Sequence, residues 1–151
     1  MTTPRWLNDE EQELWRQLLA AVRYVDRGMD ITLQEGHGIS VPEFAVLVHL
    51  SESNAMEIRL RDLCASLDWD RSRTSHQITR MERRGLVVKQ KCSDDGRGVI
   101  VELTAEGRRR LESAAPEHVK SVRHLFFDNI TEEEMRTLRP VLDRILREKQ
   151  G

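Results

Sequence analysis

Long apolar runs are missing from this sequence. No stretch approaches the roughly eighteen uninterrupted apolar residues that a membrane-spanning helix requires. The opening MTTPRWLNDEEQELW holds no apolar segment of the kind an export signal carries. The chain is therefore expected to be soluble, unexported and cytoplasmic, with no membrane partner. Cysteine is scarce: Cys64 and Cys92 are the only two, and they form neither a Cys-x-x-Cys pair nor a cluster with histidine. They offer no disulfide framework, which suits a reducing compartment, and no metal site. Histidine adds none, since His118 and His124 stand six apart, off the i, i+4 spacing that puts two ligands on one helix face. No combination of nucleophile, base and oxyanion donors is found, so neither enzyme chemistry nor a cofactor is expected. Internal repeats and low-complexity linkers are absent too. What remains is 151 residues, 38% hydrophobic, enough for one compact unit or for one completed by a partner.

Charge is present in quantity and is unevenly placed. Residues 70–110 hold eleven Lys/Arg against six Asp/Glu, a net of +5, while the rest of the chain holds thirteen against twenty, a net of −7. A basic segment inside an acidic surround favours a polyanion approached by one face. Its densest part is DRSRTSHQITRMERRGL, residues 70–86, with five arginines.

Apolar periodicity supplies the elements. Leu14, Leu18, Val22, Val25, Met29 and Leu33 recur at steps of four and three after Asn8, predicting a long amphipathic helix that ends near Gly36 and Gly38. Ser40, Pro42 and Glu43 form a capping box with proline in the first turn, and the helix they start buries Phe44, Leu47 and Val48. Past the polar SESNAM comes a short helix with Leu60, Leu63, Cys64 and Leu67 on its core stripe, where Cys64 serves as a small hydrophobe. Asp70 then caps the arginine-rich helix, and Gly85 ends it. Leu86–Cys92 and Val99–Leu103 have strand character and are joined by Ser-Asp-Asp-Gly-Arg-Gly, a hairpin signal. Cys92 is read as an ordinary strand thiol rather than a redox centre. Thr104 caps a helix through Leu111, Ala115, Val119, Val122 and Phe126, with a kink expected at Pro116. A last helix starts at Thr131-Glu-Glu-Glu134 and is expected to bury Met135, Leu138, Leu142 and Ile145.

The fold class this order predicts is mainly α with a small β-hairpin: a winged helix-turn-helix between N- and C-terminal helices. If Thr74, Ile78 and Met81 face the core, a 100° step puts Ser72, His76, Thr79, Arg80 and Arg83 opposite, with Arg73 beside them. Arg73 and His76 suit base edges, and Arg83 and Arg84 suit phosphates near the helix end. Arg97, between Gly96 and Gly98 at the hairpin tip, suits a narrow A·T-rich minor groove. The apolar stripes of the first and last helices exceed what one winged helix could cover, so a homodimer is expected.

Residues 62–111 also resemble the signature region of the MarR family of bacterial transcriptional regulators. The similarity lies in the Asp-x-Ser opening of the recognition helix, the Glu-Arg-Arg-Gly-Leu exit, the Asp-Gly-Arg-Gly wing tip and the Leu-Thr-x-x-Gly return. The outer helices match in order and length. The resemblance implies one domain over residues 1–151, with interlocking dimerisation helices at 8–36 and 104–148 and a DNA-binding lobe at 40–103. It puts Ser72, Arg73 and His76 at base contacts and Arg97 at the wing arginine, with Asp95 as its brace. The departures are Gly96, where a second arginine is common, and His76, where arginine or another polar residue is common, so base preference does not transfer.

The resemblance further implies a repressor released from a pseudo-palindromic operator by a small aromatic or amphipathic effector. Trp15, Tyr24, His37, Phe44 and His49 are the candidates to line an effector crevice, with packing as the plainer role for each. Cysteine-based peroxide sensing at the start of the first helix is not expected, because no cysteine precedes Cys64. The partners implied are double-stranded DNA, a second copy of the chain and such an effector. The alternative function is a winged-helix protein-interaction or scaffold module that binds no operator.

Overall fold

A computed structural model describes residues 2–92 and 98–148. Among these residues six α-helices and three strands follow in the order α1 (Asp9–His37), α2 (Val41–Ser51), β1 (Glu57–Arg59), α3 (Leu60–Leu67), α4 (Arg71–Arg83), β2 (Val87–Lys91), β3 (Val99–Leu103), α5 (Ala105–Leu125) and α6 (Glu132–Glu148). The strands form one antiparallel sheet in the order β1-β3-β2, with Ile58 opposite Val101 and Val87 opposite Leu103. The expected class, a helical winged helix-turn-helix with a small sheet, is the fold observed. Met29–His118 forms one compact unit, and the described residues on either side of it form a second.

Within Met29–His118 the elements begin and end where local chemistry dictates. Gly38, at φ +64°, closes α1. Ser40 accepts from the Glu43 N–H at 3.2 Å while Glu43 accepts from the Ser40 N–H at 2.9 Å, the expected capping box of α2. Asp68 takes the left-handed conformation at φ 55°, and the Trp69 N–H reaches back to the Cys64 carbonyl at 3.1 Å. Asp70 then starts α4 by accepting from the Arg73 N–H at 2.7 Å. At the far end Gly85, at φ +76°, sends its N–H to Glu82 O and that of Leu86 to Met81 O, each at 3.0 Å, a Schellman closure.

The core of this unit gathers Leu33 and Ile39 with Val46, Leu47 and Leu50 of α2, Leu63 of α3, Ile78 and Met81 of α4, and Val101 of β3. Thr104 joins the wing to α5: its hydroxyl donates to Gly85 O at 2.6 Å and accepts from the Gly107 N–H at 2.9 Å. Gly107 is held so close to the chain that a Cβ there would lie 2.1 Å from Leu86 O. The Leu-Thr-x-x-Gly return is thus a packing motif.

Several expectations are corrected. β1 was not foreseen, because three residues are too few to show a period-two pattern, and its strand character comes from pairing with β3. α2 turns Val46 fully into the core and leaves Val48 half-buried. Cys64 and Leu67 are half-buried at the edge of the α3 stripe. Cys92, expected within the strand, lies one residue past the end of β2; it is a free cysteine, 3% exposed. α5 buries Ala114 where Ala115 was expected, and Pro116 lies inside the helix, as expected.

The second unit contains the first part of α1, the end of α5 and α6. Asn8 and Glu11 cap α1 reciprocally, at 2.8 and 3.1 Å, and Thr131 and Glu134 do the same for α6, at 3.1 and 3.0 Å. A Cβ on Gly28 would lie 2.7 Å from the Leu125 side chain, so α1 and α5 pack closely there. The burial expected of α6 is not found within the single chain: Met135 and Leu138 are half-buried, and Leu142 and Ile145 are exposed. Leu14, Leu18 and Val22 on α1 are likewise open. The apolar periodicity of both helices is present, but among the described residues it is left largely uncovered.

Candidate nucleic-acid interface

α4 carries the basic surface. Its inward face is Thr74, Ile78 and Met81, all fully buried, together with Gln77. Its exposed residues are Arg71, Ser72, Arg73, Ser75, His76, Arg80 and Arg83. The Arg73 guanidinium lies over the half-buried Trp69 ring at 4.4 Å, a cation–π contact that orients the arginine without neutralising it. Arg80 donates to Gln77 Oε1 at 2.7 Å, which props its side chain along the helix. Arg83 is exposed in the last turn.

Two of the expected contact residues are turned elsewhere. Thr79 is half-buried and its hydroxyl oxygen accepts from Lys89 Nζ at 3.2 Å. The Lys89 N–H also donates to Glu82 at 2.8 Å, so β2 covers this flank of α4. A helical wheel drawn for an isolated helix misses that strand. Arg84, expected at phosphate with Arg83, instead pairs with Glu43 and donates to Gly38 O at 2.6 Å. Arg71 and Ser75 were missed. They sit on the same flank as Thr79, but at the N-terminal end, beyond the reach of β2; their i, i+4 spacing was the signal available. Asp95 and Arg97 lie outside the described residues. Of the residues that flank them, the Cys92 N–H donates to Gly98 O at 2.7 Å.

The effector candidates fall in both units. Trp15 and Tyr24 are on the outer part of α1, 52% and 65% exposed. His37, Phe44 and His49 belong to Met29–His118. His37 Nε2 is 3.3 Å from Glu117 and its Nδ1 is 3.5 Å from Ser113 Oγ, whereas His49 Nδ1 sits 2.8 Å from Ala45 O on its own helix. Phe44 is buried against the His118 ring, centroids 4.3 Å apart. His118 was not singled out as an effector residue. Its Nδ1 is buried without a hydrogen-bond partner among the described residues, and burial holds its pKa below the ordinary histidine value. At the start of α5, hydrogen bonds from Arg109 and Arg110 hold the Glu106 carboxyl below the usual carboxylate range.

Among the described residues no group of three His, Cys, Asp or Glu is placed to hold a metal ion, and no helix is long and apolar enough to cross a membrane. A capped helix, a three-residue turn, a second helix with a basic outer face and an adjoining hairpin define a winged helix-turn-helix protein of the DNA-binding type. Known proteins agree. The family model for the transcriptional regulators SarA and Rot matches residues 31–113. AbsC, a MarR family transcriptional regulator from Streptomyces coelicolor, is 37% identical with a TM-score of 0.93, over 98% of this chain and 99% of that one. Sco3205, a MarR family regulator from the same organism solved in complex with DNA, is 34% identical with a TM-score of 0.94, over 100% of this chain and 94% of that one. The HTH-type transcriptional regulator YdgJ of Bacillus subtilis is 28% identical over 136 residues, 90% of this chain and 79% of that protein. The chain belongs to the MarR family of DNA-binding transcriptional regulators.

Proposed function

We propose that the protein is a cytoplasmic, homodimeric, sequence-specific repressor with no catalytic role, which binds a pseudo-palindromic operator through α4 and the wing. The observation that carries this reading is the two-sidedness of α4: a fully buried face fixes the helix, and Ser72, Arg73, His76, Arg80 and Arg83 are exposed away from it. On this reading Ser72, Arg73 and His76 meet base edges, Arg80 and Arg83 meet phosphates, and Arg97, braced by Asp95, enters the minor groove. The helices at 8–36 and 104–148 associate two copies around lobes at 40–103. Their exposed stripes support that assignment.

The releasing ligand is a small aromatic or amphipathic compound. The Phe44–His118 pair supports this, since it sets an aromatic face beside a buried imidazole nitrogen that a polar ligand group could satisfy. His37 and His49, which share Met29–His118 with this pair, are retained as candidate lining.

The test is a titration of Arg73→Ala, His76→Ala and Arg83→Ala against selected operator DNA at several salt concentrations. Each of the first two should cost about 1–3 kcal/mol and relax base preference. The third should weaken all sequences alike and lower the salt slope by about one. Unchanged affinity and motif in Arg73→Ala would detach this face from DNA, and salt-insensitive binding to a protein partner would favour the scaffold alternative.

A further inference from the structure

We propose that Arg84 is a positioning residue for DNA recognition, anchoring the C-terminal end of α4 to the corner between α1 and α2 through Glu43 and the Gly38 carbonyl. The inference rests on the reading of α4 as the recognition helix. Arg84 is the C-cap of α4, directly before the left-handed Gly85. Its Nη1 pairs with Glu43 Oε2 and its Nη2 donates to Gly38 O at 2.6 Å, so one guanidinium joins residues more than forty positions away in sequence.

The acceptors are themselves fixed. Gly38 lies just past the C-terminus of the 29-residue α1, where helix carbonyls present partial negative charge. The neighbouring His37 carbonyl accepts from Arg110 Nη1 at 3.1 Å, so two arginines from separate helices hold consecutive carbonyls of one corner. Glu43 has both oxygens engaged. Oε1 accepts from the Ser40 N–H at 2.9 Å, and Oε2 holds Arg84. Its side chain is only 10% exposed, against 38% for Arg84. A carboxylate so enclosed is costly to leave without its cation. Arg84 therefore cannot turn to a phosphate without stranding Glu43. Asp70 fixes the start of α4 and Arg84 its end, and the direction in which Ser72, Arg73 and His76 point depends on both.

The experiment measures operator affinity across a salt series for the full-length protein and for Arg84→Gln, Glu43→Gln and the double variant, using DNA selected by the wild type. Glu43→Gln keeps a carbonyl oxygen for the Ser40 N–H and so spares the helix cap. Each single substitution should lower affinity about tenfold, as expected for members of one ion-pair network. The double should lose no more than either single, and the salt slope should not change. A phosphate contact gives a different pattern: Arg84→Gln reduces the slope by about one, and Glu43→Gln, which removes a negative charge, leaves affinity equal or higher. That pattern, additive losses in the double variant, or no loss in either single would overturn the inference alone. If Arg84→Gln does not fold, Glu43→Gln decides by itself, because a phosphate contact makes no demand on Glu43. Wild-type protein that selects no DNA would overturn the recognition-helix reading and this inference together.

Discussion

The two units of the chain handle apolar surface in opposite ways. Among the described residues, every buried core residue lies between Leu33 and Ala114, inside Met29–His118, whereas α6 buries none. Conversely, fourteen of the sixteen described large hydrophobic residues that are exposed lie outside Met29–His118. Trp6 at 80%, Leu14 at 67% and Tyr24 at 65% are the extremes among them. One region satisfies its own pattern; the other carries an equally regular pattern that is left exposed among the described residues. Exposed apolar surface on that scale marks an association surface. On the proposed reading the amphipathic helices are half of an interface rather than a poorly packed domain.

The sharpest way to break this contrast is to charge the exposed stripe. Leu14→Glu combined with Val22→Glu should convert a dimer of twice 17.6 kDa into a species of 17.6 kDa by light scattering and abolish operator binding, while the winged-helix unit stays folded by circular dichroism. A variant that remained dimeric would place the interface elsewhere. The complementary change strikes the self-sufficient unit. Gly107→Ala forces a methyl group toward Leu86 O and should cost on the order of 3 kcal/mol in denaturant unfolding, with the subunit mass unchanged. An unperturbed midpoint would mean that α5 can move away from the wing without cost.

The smallest effect comes from His118, the last residue of Met29–His118. Burial lowers its folded-state pKa, so the folded protein favours the neutral ring. As pH falls through about 6.5 the unfolded chain takes up a proton that the folded one refuses until lower pH. Stability contributed by the neutral ring is therefore complete above that value and declines below it. His118→Phe, which preserves an aromatic partner for Phe44, should reduce the drop in Tm between about pH 7.5 and 5.5 by on the order of 1 °C. An identical drop in both proteins would remove His118 from the pH response.

These contrasts also show what the sequence could and could not convey. Helix boundaries were legible because they depend on neighbouring residues: Ser40 with Glu43, Asp70 with Arg73, and Gly85 at its positive φ each determine their local chemistry. The two-sidedness of α4 was legible for the same reason. β1 was not, because a three-residue strand has no period and exists through its pairing with β3. Thr79 was placed outward because a wheel treats a helix as isolated, whereas β2 covers it; Arg84, expected at phosphate from its place near the helix end, is paired with Glu43, forty-one residues away. Gln77 escaped notice as a buried polar residue, because its burial depends on packing between elements. The α6 stripe was recognised, but periodicity identifies a face to be covered and does not say by which chain.

The central claim is a pair of recognition helices presented to DNA by two copies of one chain. Selection of bound sequences from a random DNA pool tests it most directly. The account predicts an enriched inverted repeat whose half-sites are centred about one helical turn apart, roughly 34 Å. Enrichment of a single unrepeated half-site, or no enrichment over the starting pool, would contradict it.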